Sequence, residues 1–530
     1  MELNTYLGQK GYTIAKNELT IEQQKQIRND LTIKPFVMGS PMNNDQKTFP
    51  AYRESSNKFY IPHYYGVEKF GAPKQYKISE GTNINLVFAG QLRDGQIPVV
   101  ETYVTHVNQV GFGGGLLELP CAFGKTCLAL NIISRLNKKT IIIVHKEFLM
   151  NQWIERIQQF LPKARVGKIQ GPIIDTDDKD IVIGMLQSLS MKEYPASVFE
   201  SFGLTIIDEV HHISSEVFSN SLFKLVTKYM LGLSATMNRK DGTTKVFKMF
   251  LGEVIFKGKR DETREVVVHG IQYQVDDDEF NEVKTDYRGN PAYSTMISKL
   301  CEYNRRSEFI LKVLSNMLET NPNQQIMILA HNKNLLKYLH DAVSHRNIAT
   351  VGYYVGGMKE AALKETESKK VVIATYAMAA EALDIKTLTT LIMATPKTDI
   401  EQSVGRILRE KHSSPIVVDI IDIHDLFQNQ WRKRKTFYKK ENYKIIYTTS
   451  QNYSSDTNKW TTIYNPNPCG PKECKPKKET KKTISEKSYS STDKSITNDS
   501  DIEEDDTEEK EIEKPKDKYL CGKCLLIITK

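Results

Sequence analysis

No run of apolar residues in this 530-residue chain approaches the roughly twenty that a membrane helix needs. The sequence therefore predicts no membrane span and no membrane partner. A secretory leader is missing too, since Met1-Glu2-Leu3-Asn4 is polar where a signal peptide begins its apolar stretch. Together these absences predict a soluble chain that stays in a reducing compartment. Cysteine is scarce, at seven residues, and such thiols read as free groups or metal ligands before they read as disulfides. What remains is 39% hydrophobic and 26% charged, a globular composition with polar additions, long enough for several domains. The net charge of +8 suits a polyanionic partner but, spread over this length, excludes little.

One more absence frames the most informative stretch. A complete phosphate-loop spelling needs glycine at position 119, where Leu119 stands. The rest of the pattern is present. Leu116-Leu117-Glu118-Leu119 reads as a buried strand, Pro120-Cys121-Ala122-Phe123-Gly124 as a tight turn, and Lys125-Thr126 as the start of a helix whose inner face carries Leu128, Ile132, Ile133 and Leu136. Backbone N–H groups at such a start converge on a phosphate. Lys125 would reach the β- and γ-phosphates of ATP, and the Thr126 hydroxyl would sit on Mg²⁺. The alternative is an ordinary strand–turn–helix with a solvated lysine.

Residues further along the chain decide between them. Thr140–Val144, 181–184 and Leu204–Ile207 are short apolar runs, as central parallel strands are. Asp208-Glu209 closes the last of them. One carboxylate can hold Mg²⁺ while the other orients and deprotonates a water. Ser234-Ala235-Thr236 ends the next run. Upstream, the Gln96 amide can both donate to and accept from an adenine edge. Ile84, Leu86 and Phe88 alternate as a half-buried strand does, and Gln187-Ser188 continues the strand–helix alternation.

From about residue 325 a second α/β alternation begins, with no second Gly-Lys-Thr. It carries Gln402, Arg406 and Arg409, and the two arginines, three apart on one helix face, can address the same anion. Their place in a phosphate-loop-free domain predicts arginine fingers supplied across a cleft. Residues 431–435 and Lys439-Lys440 form a basic cluster, readable as a nucleic-acid patch, a nuclear address or a solvated helix. The aromatic, basic run 58–66 reads either as a base-stacking surface or as a small β-rich core. Beyond 450 the chain is rich in Lys, Ser, Thr, Asp and Glu and reads as disordered. At its end Cys521 and Cys524 form a knuckle-like turn that Cys469 and Cys474 could complete as a zinc site, although the spacing fits only in half.

These motifs in this order resemble superfamily 2 helicases, in particular the xeroderma pigmentosum B type and the poxvirus-type transcription-termination helicases of large DNA viruses. The resemblance implies an α/β fold of two tandem RecA-like parallel-sheet lobes. It expects an accessory region at 1–90, an ATP-binding lobe at 91–260, a connecting segment at 261–320, a second lobe at 321–450 and a disordered tail at 451–530. It further implies that Glu209, Gln402, Arg406 and Arg409 serve catalysis. Gln96, Cys121, Ala122, Phe123, Gly124, Lys125, Thr126, Asp208 and His211 would hold the nucleotide, with Mg²⁺ on Thr126 and Asp208. Ser234, Ala235, Thr236 and Asp384 would couple hydrolysis to strand movement. The substrate would be DNA or RNA, with movement 3′ to 5′, in viral transcription or genome processing, and transcription machinery as a partner through the tail. For a viral chain the location would be host cytoplasm, nucleus or virion. Ala122 and Ala382 stand where the family commonly has glycine, and Arg239-Lys240-Asp241 replaces an Arg-Glu-Asp element. Two other classes fit the motifs: a double-stranded DNA translocase that remodels a polymerase complex, and a non-catalytic nucleic-acid clamp.

Overall fold

The computed structural model describes residues 3–35, 48–212, 215–237, 239, 241–258, 265–381, 385–408 and 415–466. The cysteines at 469, 474, 521 and 524, together with Arg409, Asp384, Ala382 and Lys240, lie outside the described residues.

The N-terminal region builds a small five-stranded sheet from β1 (Tyr6–Gly8), β2 (Gly11–Ala15), β5 (Arg53–Glu54), β6 (Lys58–Ile61) and β7 (Gln75–Lys77), in the order β5-β6-β2-β1-β7; a separate short pair joins β3 (Thr32–Ile33) to β4 (Phe49–Pro50). The aromatic run belongs to this core. Phe59, Ile61 and Tyr65 are buried, and Gly66 lies so close to Tyr12 that a Cβ would meet its ring at 2.3 Å. The sheet is no appendage. Tyr12, Phe59 and Ile61 share one apolar core with Leu116, Val246 and Phe250 of the following lobe.

The first lobe is an eight-stranded sheet of β8 (Gly113–Glu118), β9 (Thr140–Val144), β10 (Val166–Gln170), β11 (Ile173–Ile174), β12 (Ile181–Met185), β13 (Leu204–Ile207), β14 (Tyr229–Ser234) and β15 (Val254–Lys257). Its order is β11-β10-β12-β9-β13-β14-β8-β15, parallel throughout except for the β10–β11 edge hairpin. Helices on both faces explain why its strands are apolar on both sides. Two local expectations give way to packing. Residues 84–88 form no strand, the one bridge beside them being Asn83 to Lys138, and instead sink Ile84 and Leu86 into the lobe. Gln187 and Ser188 lie in the helix Leu186–Met191, because Leu186 and Leu189 face the core at helical spacing.

The second lobe repeats the plan with β16 (Val267–Tyr273), β17 (Gln325–Ala330), β18 (Val351–Tyr354), β19 (Val371–Thr375), β20 (Leu388–Met393), β21 (Ile416–Asp422), β22 (Lys444–Thr449) and β23 (Thr461–Tyr464). The order is β18-β19-β17-β20-β21-β16-β22-β23, antiparallel only at β22–β23. Two strands come from stretches that the sequence assigns elsewhere. β16, in the expected connector, is an internal strand between β21 and β22, and β23 lies beyond residue 450. The two lobes are thus both α/β with predominantly parallel sheets, the RecA-like architecture.

The basic cluster also divides. On the helix Asp425–Lys440, Arg432, Lys433, Lys439 and Lys440 face solvent, whereas Trp431 and Arg434 are buried. Arg434 forks onto Asp419 of β21 at 2.8 and 2.9 Å and donates to the Lys397 carbonyl at 2.9 Å. Arg306 grips Asp422 in the same way, at 2.7 and 2.8 Å. Two buried ion pairs therefore pin β21 at its middle and at its carboxyl end.

Candidate ATP site between the lobes

β8 delivers the phosphate loop from the interior of its sheet, and the helix Lys125–Leu136 leaves it. Two residues turn the loop through the left-handed region, Ala122 at φ 63° and Gly124 at φ 89°. Gly124 has a second reason to lack a side chain, since a Cβ would sit 2.6 Å from the Gln96 amide. That amide donates to the Phe123 carbonyl at 2.7 Å, and Arg93 donates to the Phe123 and Ala122 carbonyls at 2.5 and 3.3 Å. The side-chain oxygen of Gln96, Oε1, accepts from the Arg93 backbone N–H at 2.9 Å. Gln96 therefore shapes the loop as well as standing beside it, and Arg93, three residues before it, shares that task.

Lys125 and Glu209 meet at 2.7 Å. Burial, the largest influence on Lys125, pulls its pKa down, but Glu209, Cys121 and Asp208 outweigh it and the net shift is upward. Lys125 stays charged. Asp208 is buried, with its pKa raised first by burial and then by Glu209, against the opposing pull of Lys125. Its oxygens accept from the Trp153 indole N–H at 2.9 Å and from the Glu209 N–H at 3.0 Å. Glu209 itself adopts φ 48°, which turns its side chain away from the strand direction. Thr126 sits in the first helical turn beside Lys125.

The lobes touch directly over this loop. A Cβ on Gly405, in the helix Glu401–Gly405, would fall 2.4 Å from the Cys121 Cβ. Arg406 follows in a tight 3₁₀ turn and donates from Nε to the Ala379 carbonyl at 2.7 Å. The helix expected to carry both arginines therefore ends before the first of them. Arg406 still lies close enough for its charge to lower the pKa of the Cys121 thiol, although burial of that thiol dominates and the net shift is upward. Phe148 packs against the cores of both lobes.

A hydrogen-bonded relay crosses the cleft. The Gln402 amide donates to His211 Nε2 at 3.0 Å, which leaves the proton on Nδ1 to face the Ser234 hydroxyl at 2.5 Å. Ser234 in turn donates to the Thr236 carbonyl at 2.5 Å. Ala235 is buried between them. Arg239 secures the near end, donating to the His211 carbonyl at 2.5 Å and pairing with Asp241 at 2.6 Å. The structure thus gathers Gln96, the 121–126 loop, Asp208, Glu209, His211, Ser234, Gln402 and Arg406 around one cleft.

Comparison with known proteins agrees with this architecture. The model of the family described as "Type III restriction enzyme, res subunit" matches residues 89–239. The chain is 34% identical over 456 residues, 84% of its length and 86% of the relative's, to a mimivirus protein titled "Putative ATP-dependent RNA helicase L396". A similarly titled African swine fever virus protein, QP509L, is 29% identical over 374 residues, 65% of this chain and 73% of that one. The crystal structure of T4 UvsW covers 81% of this chain and 96% of its own at 16% identity, with a TM-score of 0.32, too low to add to the topology above. Fold and relatives define an ATP-hydrolysing, nucleic-acid-binding helicase or translocase of superfamily 2. The chain belongs to the ATP-dependent helicase family of large DNA viruses that includes L396. No helix among the described residues is long and apolar enough to cross a membrane.

Proposed function

We propose that this protein hydrolyses ATP between its lobes in order to step along DNA or RNA during viral transcription or genome processing. The observation that carries the reading is the closed cleft, with Gly405–Arg406 seated on the phosphate loop opposite the Lys125–Glu209 pair. ATP would exchange the Glu209 carboxylate on Lys125 for its own phosphates. Glu209, released, would accept a proton from the attacking water, while Arg406 and Arg409 would face the charge that develops on the transferred phosphoryl group.

Thr126 and Asp208 supply hard oxygen donors that suit Mg²⁺, and the raised pKa of Asp208 marks a carboxylate whose charge a cation would relieve. When bound there, Mg²⁺ would neutralise phosphate charge. Gln96 would read adenine after yielding its bond to Phe123. The His211–Ser234 relay, with Asp384 on the second lobe, would pass closure on to the nucleic-acid surface.

The test is ATP turnover of the full chain with single-stranded DNA, duplex DNA and RNA supplied separately, followed by strand displacement on whichever stimulates. Stimulation by at least one polymer is expected, with the steep salt dependence of phosphate contacts. Turnover indifferent to all three would overturn the reading. Stimulation by duplex without strand displacement would select the translocase class.

A further inference from the structure

Between β16 and the helix Tyr293–Glu302 the chain forms a small hairpin with a well-bonded turn. Thr285 bridges Pro291, the Ala292 N–H donates to the Lys284 carbonyl at 2.9 Å, and the Asp286 N–H donates to the Asn290 carbonyl at 2.7 Å. The Asp286 carboxylate accepts from the N–H groups of Arg288 and Asn290 at 2.8 and 3.0 Å, and Gly289 closes the turn at φ 81°. Such a turn is organised in advance. At its tip Tyr287 is 87% exposed, the most exposed large apolar side chain among the described residues. The Arg288 guanidinium lies over its ring at 5.0 Å.

The base of the hairpin fixes where that tip stands. Tyr293 donates to the carbonyl of Pro396, just beyond β20, at 3.3 Å, and its ring meets Phe427, just beyond β21. The hairpin therefore rises from the carboxyl edge of the second sheet, the edge that also carries Glu401–Gly405. Ligands of open α/β sheets bind outside that edge. Of the two acids closest to the tip in sequence, Glu282 pairs with Lys284 at 2.5 Å and Asp286 spends its carboxylate on the turn. What the tip offers is a flat π-face with a cation beside it.

We propose that Tyr287 and Arg288 form a stacking contact for an unpaired nucleobase, placed on the second lobe outside the ATP cleft. The inference rests on the nucleic-acid motor proposed above. An aromatic face accepts any base, so the contact is indifferent to sequence, and a ring held on an ordered turn loses little freedom on binding. The Arg288 charge adds attraction to the stacked base and to the adjoining phosphate.

Single strands containing 2-aminopurine, whose emission is quenched by stacking, test this with the full-length protein. Wild type should quench the probe. Tyr287→Ala should bind the strand about 5- to 140-fold more weakly, lose the quenching, and need correspondingly more nucleic acid for half-maximal ATPase stimulation. Its basal and maximal turnover should stay at wild-type levels, since the hairpin tip supplies none of the residues gathered around the ATP cleft. Tyr287→Trp should restore both binding and quenching. Arg288→Gln should weaken binding and flatten its salt dependence. Unchanged affinity and quenching in Tyr287→Ala would overturn the stacking contact alone, leave the motor reading intact, and assign the exposed tyrosine to a protein partner. A fall in basal turnover would make the hairpin a structural element and also overturn the proposal. A wild-type protein that binds no strand would overturn both.

Discussion

At the scale of single residues, the site holds two carboxylates in different states of tension. Glu209 is balanced by Lys125 at 2.7 Å, whereas Asp208 is buried beside it with its pKa raised. Glu209→Gln should keep nucleotide affinity within a few-fold, because the neutral amide frees Lys125 for phosphate. It should still lower turnover by at least about a hundredfold, the loss expected for a general base. Nucleotide binding measured by fluorescence, alongside steady-state turnover, checks both halves. Asp208 makes a prediction about pH. A carboxyl group that holds its proton more tightly when folded favours the native state at low pH, and that contribution is lost as pH rises from its ordinary value through its raised one. Asp208→Asn should therefore gain stability relative to wild type as pH is raised from about 4 to 7, while abolishing turnover. Urea titrations at both pH values measure the difference, and a constant offset would sink the idea. Lys125, Asp208 and Glu209 are conspicuous in the sequence because phosphate chemistry demands a short, fixed spelling. What Trp153 and Arg93 do is not, because helical spacing marks Trp153 only as a buried residue and their partners lie 55 and about 30 residues away.

At the scale of elements, the same limit explains what the chain conceals. Parallel strands covered on both faces announce themselves as apolar runs, so most of both sheets is legible. Partnering between distant elements is not. Arg434 sits in a run of cations and looks like surface, yet its side chain belongs to Asp419 on β21. Gly405 looks like a helical irregularity, yet it is where one lobe meets the other. Gly405→Ala should hold the cleft ajar, leaving nucleotide affinity near wild type and lowering stimulated turnover by tenfold or more. Because the obstacle is the Cys121 Cβ, Cys121→Gly in the same chain should restore much of the loss, a coupling that a double-mutant cycle measures directly. If the two substitutions simply add, the contact does not limit closure.

At the scale of the whole molecule, the N-terminal sheet and the first lobe are one folding unit. Tyr64 marks the join. Its hydroxyl accepts from the Gly114 N–H at 2.6 Å and donates to the Gly114 carbonyl at 3.0 Å. Along β8 the next residue facing that side, Leu116, donates instead to the Glu253 carbonyl at the approach to β15. Tyr64 thus completes the phosphate-loop strand where its neighbouring strand has not yet begun. Tyr64→Phe strands both backbone groups and should cost about 1–3 kcal/mol in global stability, read from denaturant midpoints. This join has a consequence in time. During synthesis Tyr64 leaves the ribosome before β8 does, whereas β15 follows β8 by more than a hundred residues, about 7–27 s of translation. Until β14 and then β15 emerge, both flanks of β8 would be bare templates for pairing with another nascent chain. The tyrosine already made can cover the Gly114 backbone on one of them, so the strand that later holds ATP is partly shielded from aggregation before the enzyme has a nucleotide site at all.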